Sequence, residues 1–249
     1  MARMAPPRWR HPGPRTRRRH MLALLGGCLL GLMLGMRHAL EPDHLAAVST
    51  LSVERSRPLR ENLMLGAVWG AGHTLALFVV GGTLAALRTQ MPPQVEQGLE
   101  LCVAVMVATL GLRALVQAFR EGTGGAPVPH HHGATEHTHA GHAEHVHVGR
   151  WTLARRPLLV GLMHGLAGSG ALTALVLAEL PTVGTRLLYI FAFGLGSVAG
   201  MAALTGLAGL PLRRLAGNGS ARAAVLGLAG ALSVFIGTWW GWEAVSHWS

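Results

Sequence analysis

The chain contains no lysine and only one aspartate, Asp43, and charged residues make up 13% of its 249 residues. Soluble domains carry about 25% charged residues, so the composition argues against a soluble protein. The net charge of +10 comes from 21 arginines, because lysine is absent. These arginines lie in short segments that flank apolar runs, which favours membrane loops over a nucleic-acid-binding surface. We therefore expect no nucleic-acid partner.

Cysteine is also scarce. Cys28 and Cys102 both lie inside apolar runs and form no Cys-x-x-Cys pair, so they imply no disulfide framework. We expect both to be buried as small hydrophobic residues. A thiolate metal site is therefore disfavoured.

Half of the residues are hydrophobic, and they form six long segments rich in glycine and alanine. Each segment approaches the ~20 residues that cross ~30 Å of hydrocarbon as a helix. We predict an all-α polytopic membrane protein that is surrounded by lipid and has six transmembrane helices. The segments run roughly over residues 21–40, 62–87, 99–119, 157–179, 185–210 and 222–243.

A polar insert divides these helices into two sets of three. We predict a basic N-terminal arm (1–20), a first three-helix repeat (21–119), a His-rich flexible loop (120–156) and a second three-helix repeat (157–249). Met21 is an alternative start, in which case the arm is not translated. The insert has almost no apolar content and cannot bury a core, so we expect it to be disordered without metal.

The two halves contain similar sequences. Gly35-Met36-Arg37-His38 resembles Gly161-Leu162-Met163-His164, and Gly70-Ala71-Gly72-His73 resembles Gly194-Leu195-Gly196-Ser197. An odd number of helices per copy would place the copies in opposite orientations, and inverted repeats commonly hold a substrate site at their interface. We predict two inverted repeats; chance similarity between Gly-rich helices is the alternative.

Arginine is concentrated in the loops after helices 1, 3 and 5, whereas the loops after helices 2 and 4 contain only Arg88 and Arg186. The positive-inside rule places the arginine-rich loops, including the insert, in the cytoplasm. The seven arginines before Met21 favour the opposite orientation, but the loops are the stronger argument. We expect a multi-pass membrane protein with a cytoplasmic insert.

The only aspartate lies between histidines in the segment His38-Ala39-Leu40-Glu41-Pro42-Asp43-His44. Ionisable groups within a membrane segment are costly and usually mark an ion or substrate path. Imidazole and carboxylate groups suit divalent first-row metals such as nickel, cobalt and zinc. A straight helix cannot point His38, Asp43 and His44 at one ion, because successive residues are 100° apart. We predict that Pro42 kinks or unwinds the helix, turns the ligands inward and frees a backbone carbonyl.

Histidines in two other helices extend the candidate site. We assign four metal ligands: His38, Asp43, His44 and His73. Four further residues are candidates for ligands or for groups that orient them: Glu41, His164, Ser169 and Ser197. Ser169 and Ser197 occupy the repeat positions of Asp43 and His73. The alternatives are that His73 and His164 only form hydrogen bonds between helices, and that the first segment caps its helix or pairs with Arg37 at the membrane boundary.

The insert carries eight histidines: His130, His131, His132, His137, His139, His142, His145 and His147. Such tracts usually bind several metal ions loosely. We expect metal buffering or sensing in the cytoplasm; a polar linker of biased composition is the alternative.

Several of these motifs resemble a known family. His38-x4-Asp43-His44, followed by Gly72-His73-Thr74, is similar to the signature pair of bacterial nickel/cobalt transporters. His164-Gly165-Leu166-Ala167-Gly168-Ser169 is similar to the second-half motif of their compact six-helix branch, often labelled urease-accessory H-like. The resemblance covers residues 21–245. It implies transport of Ni²⁺ or Co²⁺ as substrate with no permanently bound cofactor, and a metallochaperone or a metalloenzyme maturation system as partner.

Two other functions are compatible with parts of the sequence. Gly168-Ser169-Gly170 resembles part of a nucleophile turn, as in an intramembrane serine protease, although no donor set for an oxyanion hole is evident. Histidines on different helices could instead ligate haem iron. The carboxylate beside His44 and the His-rich insert favour free metal ions, so we predict a transporter and not an enzyme.

Overall fold

The computed structural model describes residues 14–53, 58–122, 129–132, 135–138, 145–148, 151–214 and 218–246. Helices dominate this part of the chain, and β-structure within it is confined to the insert. The helices are α1 (Pro14–His38), α2 (Pro42–Val53), α3 (Leu59–Ala76), α4 (Gly82–Leu87), α5 (Pro93–Gly122), α6 (Arg155–Glu179), α7 (Val183–Arg214) and α8 (Gly219–Ser246). A π-helical turn, Leu77–Gly81, joins α3 to α4.

Five helical segments of the described chain are long and apolar enough to cross a membrane. They are Leu59–Leu87, Pro93–Glu121, Pro157–Glu179, Val183–Leu210 and Gly219–Ser246. The pair Leu24–His38 and Pro42–Val48 is a sixth if it crosses as one broken span. Many large apolar side chains lie on the outer surface of this body, as they do where a helix faces lipid. The predicted all-α polytopic fold is confirmed.

The first span breaks where the sequence predicts it. α1 ends at His38, α2 begins at Pro42, and their axes differ by 56°. Proline has no N–H to continue the helical ladder, and it fits well at the first position of a new helix. The prediction that the break leaves a backbone carbonyl free is wrong, because the His38 oxygen accepts a hydrogen bond from the Glu41 N–H at 3.0 Å. A tight turn therefore satisfies the carbonyl that proline leaves without its usual donor.

The helices pack in a small number of close pairs: α1 with α7, α3 with α6 and α7, and α5 with α8. Glycine makes the α3–α6 crossing close. A Cβ added to Gly161 would overlap the Trp69 carbonyl, and one added to Gly165 would overlap the His73 carbonyl. Small residues permit such backbone contact between membrane helices, and here they bring α6 against the turn of α3 that carries His73.

The insert contains two antiparallel hairpins. β1 (Pro129–His132) pairs with β2 (Thr135–Thr138), and β3 (His145–Val148) pairs with β4 (Trp151–Ala154). In the first hairpin, His130 is opposite His137. The flexibility predicted for the insert stays a prediction.

The two cysteines are less buried than expected. Cys28 is half-buried and Cys102 is exposed. Both lie on membrane helices, where an exposed apolar side chain faces lipid instead of a protein core. The expectation of burial was wrong because it applied a soluble-protein rule to a membrane surface.

Candidate metal centre

Three imidazoles meet where α1 ends, α2 begins and α3 passes beside them. The rings of His38 and His44 lie with their centroids 4.6 Å apart, and the His73 ring is 5.0 Å from His38 and 5.4 Å from His44. One ligand nitrogen from each of the three lies within 4.8 Å of the others. Two nitrogens on opposite sides of a shared ion would be about 4.2 Å apart, given metal–nitrogen bonds of about 2.1 Å. Small ring movements would therefore bring all three to one ion.

The break in the first span produces this meeting. In a straight helix, His38 and His44 would be about 9 Å apart along the axis and about 120° apart around it. The 56° bend and the turn between α1 and α2 instead place their rings in edge contact. As predicted from the sequence, Pro42 lies at a bend in the span, and this bend lets His38 and His44 face the same point.

Asp43 supplies the carboxylate next to this histidine group. Its Oδ1 accepts a hydrogen bond from Nδ1 of His44 at 2.8 Å, and its Oδ2 is 3.6 Å from Nε2 of His164. Asp43 is 8% exposed, and His44 and His164 are 1% and 3% exposed. The carboxylate fixes the His44 ring and leaves its Nε2 as the free ligand atom, which is how outer partners orient metal-binding histidines.

His164 is held from its other side. Its Nδ1 donates to the Val160 carbonyl at 2.9 Å, so α6 sets the orientation of the ring. Trp69 packs beside both histidines, with its ring centroid 5.5 Å from that of His44 and 6.0 Å from that of His164. Sequence reasoning missed Trp69, because an apolar helix contains tryptophan for many reasons.

Glu41 joins the centre from the exposed side of the break. Its Oε2 lies 2.9 Å from Nδ1 of His38, and its side chain is 54% exposed. Glu41, Asp43 and His44 form a second set whose ligand atoms lie within 4.8 Å of one another. His44 therefore belongs to two overlapping sets, one of three nitrogens and one of two oxygens and a nitrogen.

Several ring nitrogens in the centre have no hydrogen-bond partner. They are Nε2 of His38, His44 and His164, and both nitrogens of His73. His73 is fully buried. Buried polar atoms are almost always hydrogen-bonded, and each exception requires a cause. A divalent cation bound at these nitrogens would be such a cause.

The two serines do not join this group. The Ser169 hydroxyl donates to the Leu166 carbonyl at 2.6 Å, and the Ser197 hydroxyl donates to the Phe193 carbonyl at 3.0 Å. Each hydroxyl is thus bonded to the backbone of its own helix.

Two of the eight insert histidines that the sequence predicts to bind metal, His139 and His142, lie outside the residues that the structure describes.

A cavity of about 440 Å³ extends from the centre toward α5 and α8. Its inner wall contains His38, His44 and His164. Its outer wall contains three glutamates that sequence reasoning did not single out: Glu96, Glu100 and Glu243. Their distance along the chain from the His38–His44 segment explains the omission.

Buried imidazoles beside a carboxylate, inside a body of helices long and apolar enough to cross a membrane, are typical of a membrane protein that handles divalent metal ions. Comparison with known families agrees. The family model described as "NicO: High-affinity nickel-transport protein" matches residues 24–213. The chain belongs to this family of transport proteins and is not an enzyme.

Individual relatives extend this result. The chain is 32% identical over 214 residues to the urease accessory protein UreH of Bacillus sp. (strain TB-90). The matched region covers 86% of this chain and 90% of that protein. It is 26% identical over 187 residues to the chloroplast protein FOR GROWTH AND FERTILITY 1 of Arabidopsis thaliana, and 27% identical over 196 residues to FOR GROWTH AND FERTILITY 2. The matches cover 72% and 74% of this chain and about half of each plant protein. No solved structure matches the chain.

These findings give no support to the serine protease or haem alternatives. The Ser169 hydroxyl is bonded to its own helix, and the family is one of nickel transport. The predicted resemblance to nickel/cobalt transporters is confirmed.

Proposed function

We propose that the protein moves Ni²⁺ or Co²⁺ across the membrane through the centre formed by His38, Asp43, His44 and His73. The observation that carries the proposal is the group of buried ring nitrogens without hydrogen-bond partners. Imidazole nitrogen and carboxylate oxygen are ligands that suit divalent nickel and cobalt.

The centre combines strong ligands with an incomplete charge balance. Asp43 offers one negative charge against the two positive charges of the ion, and the histidines bind as neutral ligands. An ion that permeates must bind well enough to shed water but weakly enough to leave. One carboxylate and three imidazoles meet that requirement better than a closed cage of thiolates would. His164 and Glu41, which contact Asp43 and His38, would orient these ligands or replace one of them during passage.

The predicted inverted repeat, if present, supports placing the transport site here. If the two halves correspond, α1 matches α6, α3 matches α7 and α5 matches α8. The packing of α1 on α7 then corresponds to the packing of α6 on α3, whereas the α3–α7 and α5–α8 pairs each correspond to themselves. The close backbone contacts agree with this correspondence. A Cβ on Gly35 would overlap the Phe193 carbonyl, as one on Gly161 would overlap the Trp69 carbonyl. Likewise, a Cβ on Gly196 would overlap the Leu32 carbonyl, as one on Gly72 would come within 2.5 Å of the Leu158 carbonyl.

The ring contacts of the centre agree with the same correspondence. His38 lies 5.3 Å from Phe193, and its counterpart His164 lies 6.0 Å from Trp69, both measured between ring centroids. In this proposal the centre lies at the interface of two inverted repeats, where transporters of this plan bind their substrates.

The relatives suggest a destination for the ion. One similar protein is named a urease accessory protein, and urease maturation is one kind of metalloenzyme maturation. We propose that transported ion is delivered to a metallochaperone or a metalloenzyme maturation system in the cytoplasm of a bacterium, with the protein in the inner membrane. The histidines of the insert would hold the ion loosely on that side.

The experiment is radioactive nickel and cobalt flux into proteoliposomes. We expect Asp43→Asn and His44→Ala to lower the initial rate at least about tenfold, since even partners that merely orient a ligand change metal affinity about 10- to 100-fold. Thr205→Val is the matched control, because it also removes a buried polar group from the membrane body, here one bonded within α7. Unchanged flux in both centre variants would contradict the proposal.

A further inference from the structure

Many of the acidic residues of the chain line the cavity next to the metal centre. The protein has 11 acidic residues, and five of them line this one cavity: Glu41, Asp43, Glu96, Glu100 and Glu243. No arginine occurs among the described residues that line it, although the chain has 21. Concentrated charge of one sign in a low-dielectric cleft focuses the electric field and raises the local concentration of counter-ions.

The carboxylates come from three separate parts of the chain. Glu96 lies in the first turn of α5, Glu243 lies near the end of α8, and Glu41 lies at the break between α1 and α2. Glu96 has a structural explanation, because an acidic side chain in a first turn stabilises the helix dipole. Glu243 does not, since the same dipole disfavours a negative charge near a helix C-terminus. Its position in the cavity therefore requires another reason.

The inner wall of the cavity points to a cation. His44 and His164 line it, both are more than nine-tenths buried, and each has an Nε2 without a hydrogen-bond partner. Glutamate carboxylates thus lead to imidazoles that are available as ligands. Gly170 makes room for this arrangement, because a Cβ there would overlap the Glu96 carboxylate.

We propose that Glu96, Glu100 and Glu243, with Glu41, form an outer site that captures a hydrated divalent cation and passes it to His44. The proposal rests on the transport function proposed above. A hydrated ion is held by oxygen ligands that do not discriminate strongly between Mg²⁺ and Ni²⁺, whereas the imidazoles inside select the transition metal. Capture and selection are therefore separate steps at separate ligands.

The outer site lies across the membrane from the insert. Glu96 is at the start of α5, and the insert follows the end of α5, which is 30 residues and so about 45 Å away. The two cation-attracting regions lie on opposite sides of the membrane with the histidine centre on the route between them. We assign the carboxylates to the side from which the ion enters and the insert to the side that receives it.

The test compares nickel uptake kinetics in proteoliposomes made with the wild type and with the double variant Glu96→Gln, Glu243→Gln. At low ionic strength we expect KM to rise roughly three- to tenfold per carboxylate, with the maximal rate nearly unchanged. High salt should shrink the difference, because it screens the exposed carboxylates. Millimolar Mg²⁺ should raise the KM of the wild type and affect the double variant much less.

Glu179→Gln is the matched control. Glu179 ends α6 on the same side of the membrane, is exposed and does not line the cavity, so its neutralisation should leave KM unchanged. The pair Glu96→Asp, Glu243→Asp keeps the charges and should keep KM close to the wild-type value. A purely structural role for Glu96 predicts lower stability in the Gln variant instead of a salt-dependent KM.

The outcomes separate the two proposals. If wild-type protein takes up neither nickel nor cobalt, the proposed function is wrong and the outer site is overturned with it. If uptake depends on Asp43 and His44 but the Gln double variant has wild-type KM and wild-type sensitivity to Mg²⁺, the outer site alone is overturned.

Discussion

At the scale of single residues, His73 is the proposed ligand whose position depends most on its neighbours. It is fully buried, and neither of its ring nitrogens has a hydrogen-bond partner to hold the ring. Its backbone, however, lies against α6, because Gly165 has no side chain to separate the two helices. The location of His73 in the centre is therefore set by the packing of α3 on α6.

This dependence gives a prediction for Gly165→Ala. The added methyl group would overlap the His73 carbonyl, so α3 and α6 must separate and His73 must shift relative to His38 and His44. We expect a loss of about 1–3 kcal/mol in stability, as overpacking usually costs, and a clear fall in nickel uptake. Thermal unfolding in detergent and proteoliposome flux measure the two effects.

Gly227→Ala is the control, because it makes the same chemical change in another membrane helix, α8, away from the cavity. The nearest atom to its new Cβ would be Ala118 Cβ at 3.7 Å, an ordinary contact. We expect stability within about 0.5 kcal/mol of the wild type and normal uptake. Equal behaviour of the two variants would show that close α3–α6 packing does not position His73.

The sequence pattern predicted several residues of the candidate centre, but not all the residues that surround it. A lone aspartate between two histidines in an apolar run is unusual enough to be recognised from the sequence. Trp69 and Glu243 carry no such local signal. Trp69 is one of seven tryptophans, and Glu243 is 200 residues from Asp43 in the chain. Only the packing of α3 and α8 around the break shows that they surround the same site.

At the scale of elements, the break between α1 and α2 determines whether two histidines of one span can share an ion. The turn is closed by bonds from Leu40 N–H to the Arg37 carbonyl and from Glu41 N–H to the His38 carbonyl. In Pro42→Ala a regular bond from residue 42 to the His38 carbonyl becomes available, so the span can straighten. Straightening would move His44 away from His38.

We therefore expect Pro42→Ala to lower nickel uptake at least about tenfold, as loss of an oriented ligand does. Proteoliposome flux gives the rate, and elution from a sizing column checks that the variant is folded. Pro93→Ala is the control, since Pro93 begins α5 and its replacement restores no interrupted helix. Wild-type uptake by Pro42→Ala would mean that the surrounding helices, and not proline, maintain the bend.

The elements themselves were predictable because hydropathy along a chain is a local property. The predicted segment 62–87 corresponds to the observed span Leu59–Leu87, and 157–179 corresponds to Pro157–Glu179. The π-helical turn at Leu77–Gly81 was not predicted, because one extra residue in a helical turn leaves no mark on apolar periodicity. Helix pairing was equally out of reach, since glycine-rich faces occur on nearly every helix of this chain.

At the scale of the whole molecule, charge is distributed unequally between the two ends of the helices. The acidic cavity lies where α5 begins and α8 ends. At the other end, Arg222 near the start of α8 pairs with Glu121 near the end of α5, with an N–O distance of 3.1 Å. Glu121 lies at the start of the insert, which begins at residue 120. The end with the arginine-rich loops and the insert is thus opposite to the end with the cavity.

The positive-inside rule assigns the arginine-rich end to the cytoplasm, and single-cysteine labelling tests this. In a background without Cys28 and Cys102, we expect an impermeant maleimide to label Thr89→Cys fully in intact cells. Thr89 is exposed in the connection between α4 and α5. Ser220→Cys, exposed at the start of α8, should stay at background until the cells are lysed. The reverse pattern would place the acidic cavity in the cytoplasm and the insert outside, and the carboxylates would then serve release of the ion instead of capture.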